Sequence, residues 1–273
     1  MKNLLISAAA SAMLLGSATA DQTVVDFEKG AAGWTGSQGG GGSTVVETTG
    51  GNPGANMHTV FNNFGIEFRN NTNPDFVMDY TQHDSVTLSI DLEVIDISFF
   101  GTPAGRPWLV EIRDYQNVPA GYPYVSVWYL FEWVGAGPWT TWSVTIEDTG
   151  VAELPAGWGG YGAEDPDTFE PILPANRTFT DVLAGADELA FHTLQPGYFF
   201  GFTDFDLRID NITISTADSV LPGDANGDGV VDVADLTEVI LAWGPCAGAC
   251  PADFDGDGLV DVVDLVTVIS NWS

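Results

Sequence analysis

From Thr23 to Ser215 the chain repeats one pattern, short runs of alternating apolar and polar residues broken by Gly, Pro and Asn. Eight runs read as strands: TVVDF (23–27), GIEFR (65–69), SVTLSIDLEV (85–94), PWLVEI (107–112), YVSVWYLFEWV (124–134), TTWSVTI (140–146), ELAFHT (188–193) and FDLRIDNITIS (205–215). Successive side chains of a strand leave opposite faces, so a period of two marks a half-buried strand. Only FTDVLAGADEL (179–189) has room for a turn or two of helix. Many short strands with turn residues between them, and no strand–helix–strand rhythm, predict a β-sandwich. In one run Val125, Val127, Tyr129, Phe131 and Trp133 fall on one face, and Trp128 and Leu130 on the other. A strand apolar on both sides is expected at the centre of a sheet, one face on the core and one under a loop or groove.

Beyond a short linker, STADSVLPG (215–223), the apolar period lengthens to that of a helix. Leu236, Val239, Ile240 and Trp243 share a face, and Leu265, Val268, Ile269 and Trp272 repeat it 29 positions later. Each helix is too short to stand alone. The two stripes are expected to pack on each other as a small core, of a size that usually needs a metal or a cross-link.

A twelve-residue acidic loop precedes each stripe: DANGDGVVDVAD (224–235) and DFDGDGLVDVVD (253–264). Both follow D-x-[DN]-x-D-G-x-x-D-x-x-D. Carboxylates this close repel one another, and their spacing is that of oxygen ligands around a hard cation such as Ca2+. In the first loop the expected ligands are the side chains of Asp224, Asn226 and Asp228 and the carbonyl of Val230. Asp232 is expected to act through a water, and Asp235 to close the shell. The second loop offers Asp253, Asp255, Asp257, the carbonyl of Leu259, Asp261 and Asp264. Gly229 and Gly258 take the sixth position, where the loop turns sharply.

The duplicated loop and helix resemble a type I dockerin, a pair of half EF-hands, over roughly residues 221–273. Aspartate at the twelfth position (Asp235, Asp264) fits dockerins better than full EF-hands. The intervening GPCAGACPAD is similar to the GC-type variant, with a cysteine pair between repeats. The resemblance implies two bound Ca2+ ions and docking onto a cohesin domain of a scaffold or surface protein. Partner choice would fall to the tenth and eleventh loop positions, Val233, Ala234, Val262 and Val263, where many dockerins carry hydroxyl residues instead. Cys246 and Cys250 are the only cysteines. They are expected to form a disulfide if the turn brings their α-carbons within bonding reach. The three histidines, His58, His83 and His192, lie far from them in sequence, so zinc is set aside.

The N-terminus, MKNLLISAAASAMLLGSATA, has one early cation, a short apolar run and a small-x-small ending at Ala18–Ala20. This is a cleaved secretory signal by pattern, so the chain is expected to be secreted, and cell-surface attached where the tail docks. With 7 basic against 38 acidic residues, the formal net charge is −31. That sign disfavours nucleic acid and anionic lipid as partners, and no later apolar run is long enough for membrane insertion. The domain reading is 1–20 signal, 21–216 sandwich, 217–221 linker and 222–273 calcium-binding domain.

The ends of the sandwich region, DFEKGAAGW and LRIDNITI, resemble those of jelly-roll carbohydrate-binding and galactose-binding-like domains. That resemblance implies a structural Ca2+ between an acid near the first strand and one on the last, here Glu28 and Asp210. It also implies recognition of an extracellular polysaccharide. Trp139, Trp158, Tyr161, Tyr198 and Phe200 sit in loop-like settings where a ring can stack on a sugar, although most aromatics of a sandwich this size belong to its core. A polysaccharide hydrolase or lyase is the alternative. Asp91 and Glu93 share a strand face at about the separation two catalytic carboxylates need, but the order Asp91, Glu93, Asp96 does not match jelly-roll glucanases, and a solvated strand face explains it better. A structural envelope protein without ligand is the third reading.

Overall fold

The computed structural model describes residues 20–218, 221–246 and 250–273. The expected signal, apart from Ala20, lies outside them. The chain forms two compact units, Ala20–Ala217 and Asp218–Ser273.

The strands of the first unit are, in chain order, β1 (Ala20–Val25), β2 (Thr35–Gly36), β3 (Gly42–Gly51), β4 (Gly54–Asn63), β5 (Glu67–Asn70), β6 (Ser85–Phe99) and β7 (Thr102–Pro103). They continue with β8 (Arg106–Asp114), β9 (Val125–Val134), β10 (Gly137–Ile146), β11 (Trp158–Tyr161), β12 (Ala163–Glu164), β13 (Pro171–Ile172), β14 (Glu188–His192) and β15 (Thr203–Ala217). One helix, α1 (Phe179–Ala184), is closed at its start by a Thr178–Asp181 capping box. The first sheet runs β3–β4–β15–β6–β10, with β1 along the far half of β15 and β7 at the end of β6; the second runs β2–β5–β14–β8–β9–β11. The chain passes repeatedly between the two antiparallel sheets, the wrapping of a jelly roll. All eight expected strands are present.

The sheets bury their inner faces against each other. Leu88, Ile90 and Leu92 of β6 and Leu207 and Ile209 of β15 meet Trp108, Val110 and Ile112 of β8, Val127 of β9 and Phe191 of β14 in one cluster. Each such side chain contributes about 1.5–3 kcal/mol by leaving water. Two expectations need correction. Strands β3 and β4, rich in Gly, Thr and Asn, carry no strong alternation and were not expected. Trp133 does not share the core face of Val125–Phe131. Leu130 pairs with Leu109 while Glu132 pairs with Trp108, so Phe131 is an extra residue, and the bulge turns Trp133 outward. A second bulge, between Asp210 and Thr213 in the pairing of β15 with β6, sets Asn211 at φ +47° and restores Ile212 and Ile214 to the core.

The second unit holds two nine-residue helices, α2 (Val233–Leu241) and α3 (Val262–Ser270), and a two-stranded ladder, β16 (Gly244–Pro245) with β17 (Leu259–Val260). Each helix opens on a capping box, Asp232 with Asp235 and Asp261 with Asp264. The expected stripes are only partly its core. Val239 and Val268 are buried with Ala225, Val231, Ala252 and Val260, and Leu236 and Leu265 pack at the edge. Ile240, Trp243, Ile269 and Trp272 are exposed instead. Short helices leave room for the valine at the eighth position of each loop, Val231 and Val260, to fill the centre. Cys246 and Cys250 form a disulfide, with Cα atoms 6.2 Å apart, and both sulfurs pack on this core.

Candidate functional site

The two acidic loops are alike in backbone. Asp224 accepts from the amides of Gly227 and Gly229, each at 2.8 Å, and Asp253 from those of Gly256 and Gly258, each at 3.0 Å. Gly229 and Gly258 hold φ +81° and +88°, a conformation in which a side chain is strained. In the second loop, carboxylate oxygens of Asp253, Asp255 and Asp257 converge within 4.8 Å of one another. Desolvation and the neighbouring carboxylates push Asp255 up from its ordinary range. In the first loop Asn226 stands between the corresponding acids and donates to Asp228 at 3.0 Å. The twelfth-position acids are buried and hold the loop closed. Asp235 accepts from Ala225, Asn226 and Asp232 amides, and Asp264 from those of Phe254 and Asp261. The donor set, oxygen only and mostly anionic, fits Ca2+. Val233, Ala234, Val262 and Val263 stand exposed on the first turns of α2 and α3.

In the sandwich, Glu28 and Asp210 meet the same turn. Glu28 Oε1 accepts from Ala55 N at 2.8 Å, and Asp210 accepts from the amides of Asn52 and Asn211 at 2.6 and 2.7 Å. The bulge in β15 brings in a third acid. Asp91 Oδ2 accepts from the side-chain amides of Asn52 and Asn211 at 3.0 and 2.9 Å. A Cβ on Gly54 would lie 1.9 Å from Glu28 Oε1 and one on Gly51 2.7 Å from Asp210 Oδ2, so glycine keeps this cradle open. Burial, together with the charges of Asp91 and Asp26, pushes Asp210 up to about 6. A buried carboxyl raised by other carboxylates is where a cation gains most. If Ca2+ binds here, 10 mM calcium raises the melting temperature of the sandwich, and Asp210→Asn abolishes that increment. An equal increment in the variant assigns it elsewhere.

Asp91 therefore belongs to this cluster, while Glu93 pairs with Arg208 at 3.3 Å; both are on the first sheet. The outer face of the second sheet carries a different set, which the sequence reading missed. Antiparallel register places Glu67 on β5, Glu188 and His192 on β14 and Glu111 and Arg113 on β8 side by side. Arg113 contacts Glu111 Oε2 through Nε and Nη2, and Glu188 and Glu67 through Nη1, all at 2.7 Å. Glu111 and Glu188 are 0% and 1% exposed. Burial alone would raise the Glu111 carboxyl, but Arg113, His192 and Ser126 hold it down at about 2. His192 accepts from Leu194 N through Nδ1, which leaves the proton on Nε2, 3.0 Å from Glu111 Oε2.

Tyrosines roof this ionic floor. Tyr124 lies over the Arg113 guanidinium at 4.7 Å, and Tyr115 donates to Glu188 at 2.9 Å. Ring contacts of 5.4–5.6 Å link Tyr115, Tyr124, Tyr161 and Tyr122 in a row. Burial and the nearby acids push Tyr115 up to about 12, and Tyr124 and Tyr161 also upward, so all three hydroxyls stay neutral. Of the expected aromatics, Tyr161 is in this row. Tyr198 and Phe200 sit on the loop after β14, where Phe200 packs on Arg106 and Trp133. Trp158 is core, edge-on to Phe179, and Trp139 lies on β10 of the first sheet.

No protein-family model matches the chain, and no curated protein matches it. Among solved structures, it is similar to the CBM22-2 xylan-binding domain from Paenibacillus barcinonensis Xyn10C, at 12% identity over 71% of this chain and 98% of that one, with a TM-score of 0.41. It is also similar to the family 11 carbohydrate-binding module from Clostridium thermocellum in complex with a β-1,3-1,4-mixed-linked tetrasaccharide, at 13% identity over 71% and 94%, with a TM-score of 0.42. An exo-β-agarase matches at 14% identity over 81% of this chain and 30% of that one, again with a TM-score of 0.42.

Proposed function

We propose that the sandwich recognises a neutral extracellular polysaccharide on the outer face of its second sheet. On the same reading the second unit is a calcium-folded, dockerin-like module that docks onto a cohesin-type partner. The observation that carries the first part is the tyrosine row above a closed ionic floor. Rings present flat apolar surface to the C–H faces of sugars, and neutral phenols exchange hydrogen bonds with hydroxyls. The floor adds two arginines, Arg113 and Arg69, to three glutamates, so its carboxylates outnumber its guanidinium groups. That balance disfavours uronates and sulfates.

The same floor argues for binding over hydrolysis. Arg113, Ser126, His192 and Tyr115 already contact Glu111 and Glu188, which no solvent reaches in quantity. For docking, the support is the exposed apolar turn of each helix, Val233 and Val262–Val263, together with Ile240, Ile269 and both tryptophans. Secretion is supported by the disulfide. Among the described residues no helix is long and apolar enough to cross a membrane.

The test incubates the full chain with neutral and anionic polysaccharides and measures retention together with new reducing or unsaturated ends. Retention on a neutral glycan without new ends is expected, weakened about tenfold by Tyr161→Ala, which corresponds to about 1.4 kcal/mol. New ends, or retention on anionic glycans alone, would overturn the reading.

A further inference from the structure

Beside the tyrosine row, the second sheet's outer face bears a cavity of about 340 Å³, lined by Trp128, Thr168, Phe169, Glu170, Gln195 and Tyr198 among others. Its floor is the Trp128 indole, which lies against β11. A Cβ on Gly159 would come 2.3 Å from the indole ring, and Nε1 donates to Gly160 O at 3.3 Å. Gly159 is thus what lets the ring lie low against β11 while it lines the cavity. Its walls come from the β12–β13 ribbon and the loop after β14. Phe169 is 73% exposed and held at φ +60°, Tyr198 63% exposed. An apolar ring displayed on a strained backbone persists only where the surroundings enforce it. Here they do: Phe169 N donates to Asp165 O at 2.9 Å, and the Asp165 carboxylate accepts from Asp167 and Thr168 amides at 2.9 Å.

The two walls meet. At Gly197, φ +81°, an added Cβ would lie 2.8 Å from Pro171 Cδ, so the ribbon and the loop touch there and bridge the sheet face. The register places Trp128 in the same row as Glu111, one pleat from Ser126 and Arg113 under the tyrosines. A glycan that passes from the tyrosine row to Trp128, along the strand direction, therefore runs into the bridge. We infer that this cavity receives the terminal pyranose of a neutral glycan, so that the sandwich takes chain ends and not the middle of a chain. The inference rests on the polysaccharide reading above and names its substrate form. The size agrees, since 340 Å³ is near the bottom of the range for ligand sites, about 300–1,000 Å³. So does the chemistry: one aromatic floor, two aromatic walls, the amide of Gln195 and the hydroxyl of Thr168 for sugar hydroxyls. The one charge on the lining is Glu170, which again disfavours an anionic residue.

The experiment takes a neutral polysaccharide that the full chain retains, such as xylan or mixed-linkage β-glucan. Equal masses are offered intact and after limited acid hydrolysis that raises the number of ends about tenfold. Recognition of ends predicts about tenfold more binding sites per unit mass after hydrolysis. Trp128→Ala, and independently the surface variant Phe169→Ala, whose side chain is largely exposed, should each weaken binding at least tenfold. Equal capacity per mass before and after hydrolysis, or unchanged binding in Phe169→Ala and Trp128→Ala, overturns the inference and leaves the polysaccharide reading standing. No retention on any neutral glycan overturns both.

Discussion

Arg113→Met is expected to destabilise the sandwich by about 3–5 kcal/mol, the range for breaking a buried ion pair by removing one partner. Arg113 supplies the cation for Glu111 and Glu188 at once, and both are essentially inaccessible to water. Arg69 cannot take over. It is half exposed, and its nearest approaches are 3.6 Å to Glu67 and 3.8 Å to Glu188. Arg113→Lys should recover only part of the loss, because one ammonium cannot present the planar fork that holds Glu111 on one side and Glu188 with Glu67 on the other. A combined Arg113→Met, Glu111→Gln, Glu188→Gln variant should recover more than half. Chemical denaturation of the full chain followed by tryptophan fluorescence is the measurement. A loss below about 1 kcal/mol in Arg113→Met would show that the network is hydrated and unimportant.

The pH dependence gives this prediction a second, sharper form. In the wild type Glu111 titrates at about 2 when folded and near 4.3 in an unfolded chain. The folded carboxyl is the more acidic one, so its contribution is complete above the unfolded value and is lost as pH falls from about 4.5 towards 2. Without Arg113, the largest of the groups that hold Glu111 down, burial is opposed only by His192 and Ser126, and the folded value is expected to rise above the unfolded one. The sign then reverses, and Arg113→Met should gain more stability than the wild type as pH is lowered from 7 to 5. Parallel curves would sink the assignment.

What could be read from the sequence was local. The acidic loops declare themselves because every expected ligand lies within twelve consecutive residues, and the capping boxes that start α2 and α3 reuse the same acids. The eight strands were legible wherever one face was apolar and the other polar. β3 was not, because Val45 and Val46 of this edge strand are both exposed and leave no alternation to detect. Bulges escaped for a different reason. One added residue, at Phe131 or Asn211, reverses the facing of everything after it, and Trp133 was placed on the face of Val125–Phe131 on that account. The ionic floor escaped because its members are joined only by register between β5, β14 and β8. Glu111 and Arg113 read alone as the solvated side of a strand. A Glu-x-Arg pair flanked by Trp108, Leu109, Val110 and Ile112 on a strand buried at every position is the signal that could have found it.

Removal of calcium is expected to unfold residues 221–273 while the sandwich remains intact. Among its described residues the second unit has little else to hold it: six buried apolar residues, two of them alanine, and two nine-residue helices. Helices that short are marginal in water. Without a cation, the convergence of Asp253, Asp255 and Asp257 within 4.8 Å works against folding. A site with a dissociation constant of about 10⁻⁴ M in about 10 mM Ca2+ contributes roughly 2.7 kcal/mol, so two sites exceed what the disulfide can supply across its small loop, about 2 kcal/mol. The second loop should be the tighter, because an acid stands where the first has Asn226, and Asp255→Asn should bring its affinity down towards the first. Hydrogen exchange on the full chain, in chelator and then in 10 mM Ca2+, reads this directly. Amides of α2 and α3 should exchange completely in chelator and gain protection with calcium, whereas those of β6, β8 and β15 should stay protected in both. Protection of α3 that persists in chelator would mean that the acidic loops close on their own backbone amides alone, through Asp235 and Asp264, and that the metal is not what folds them.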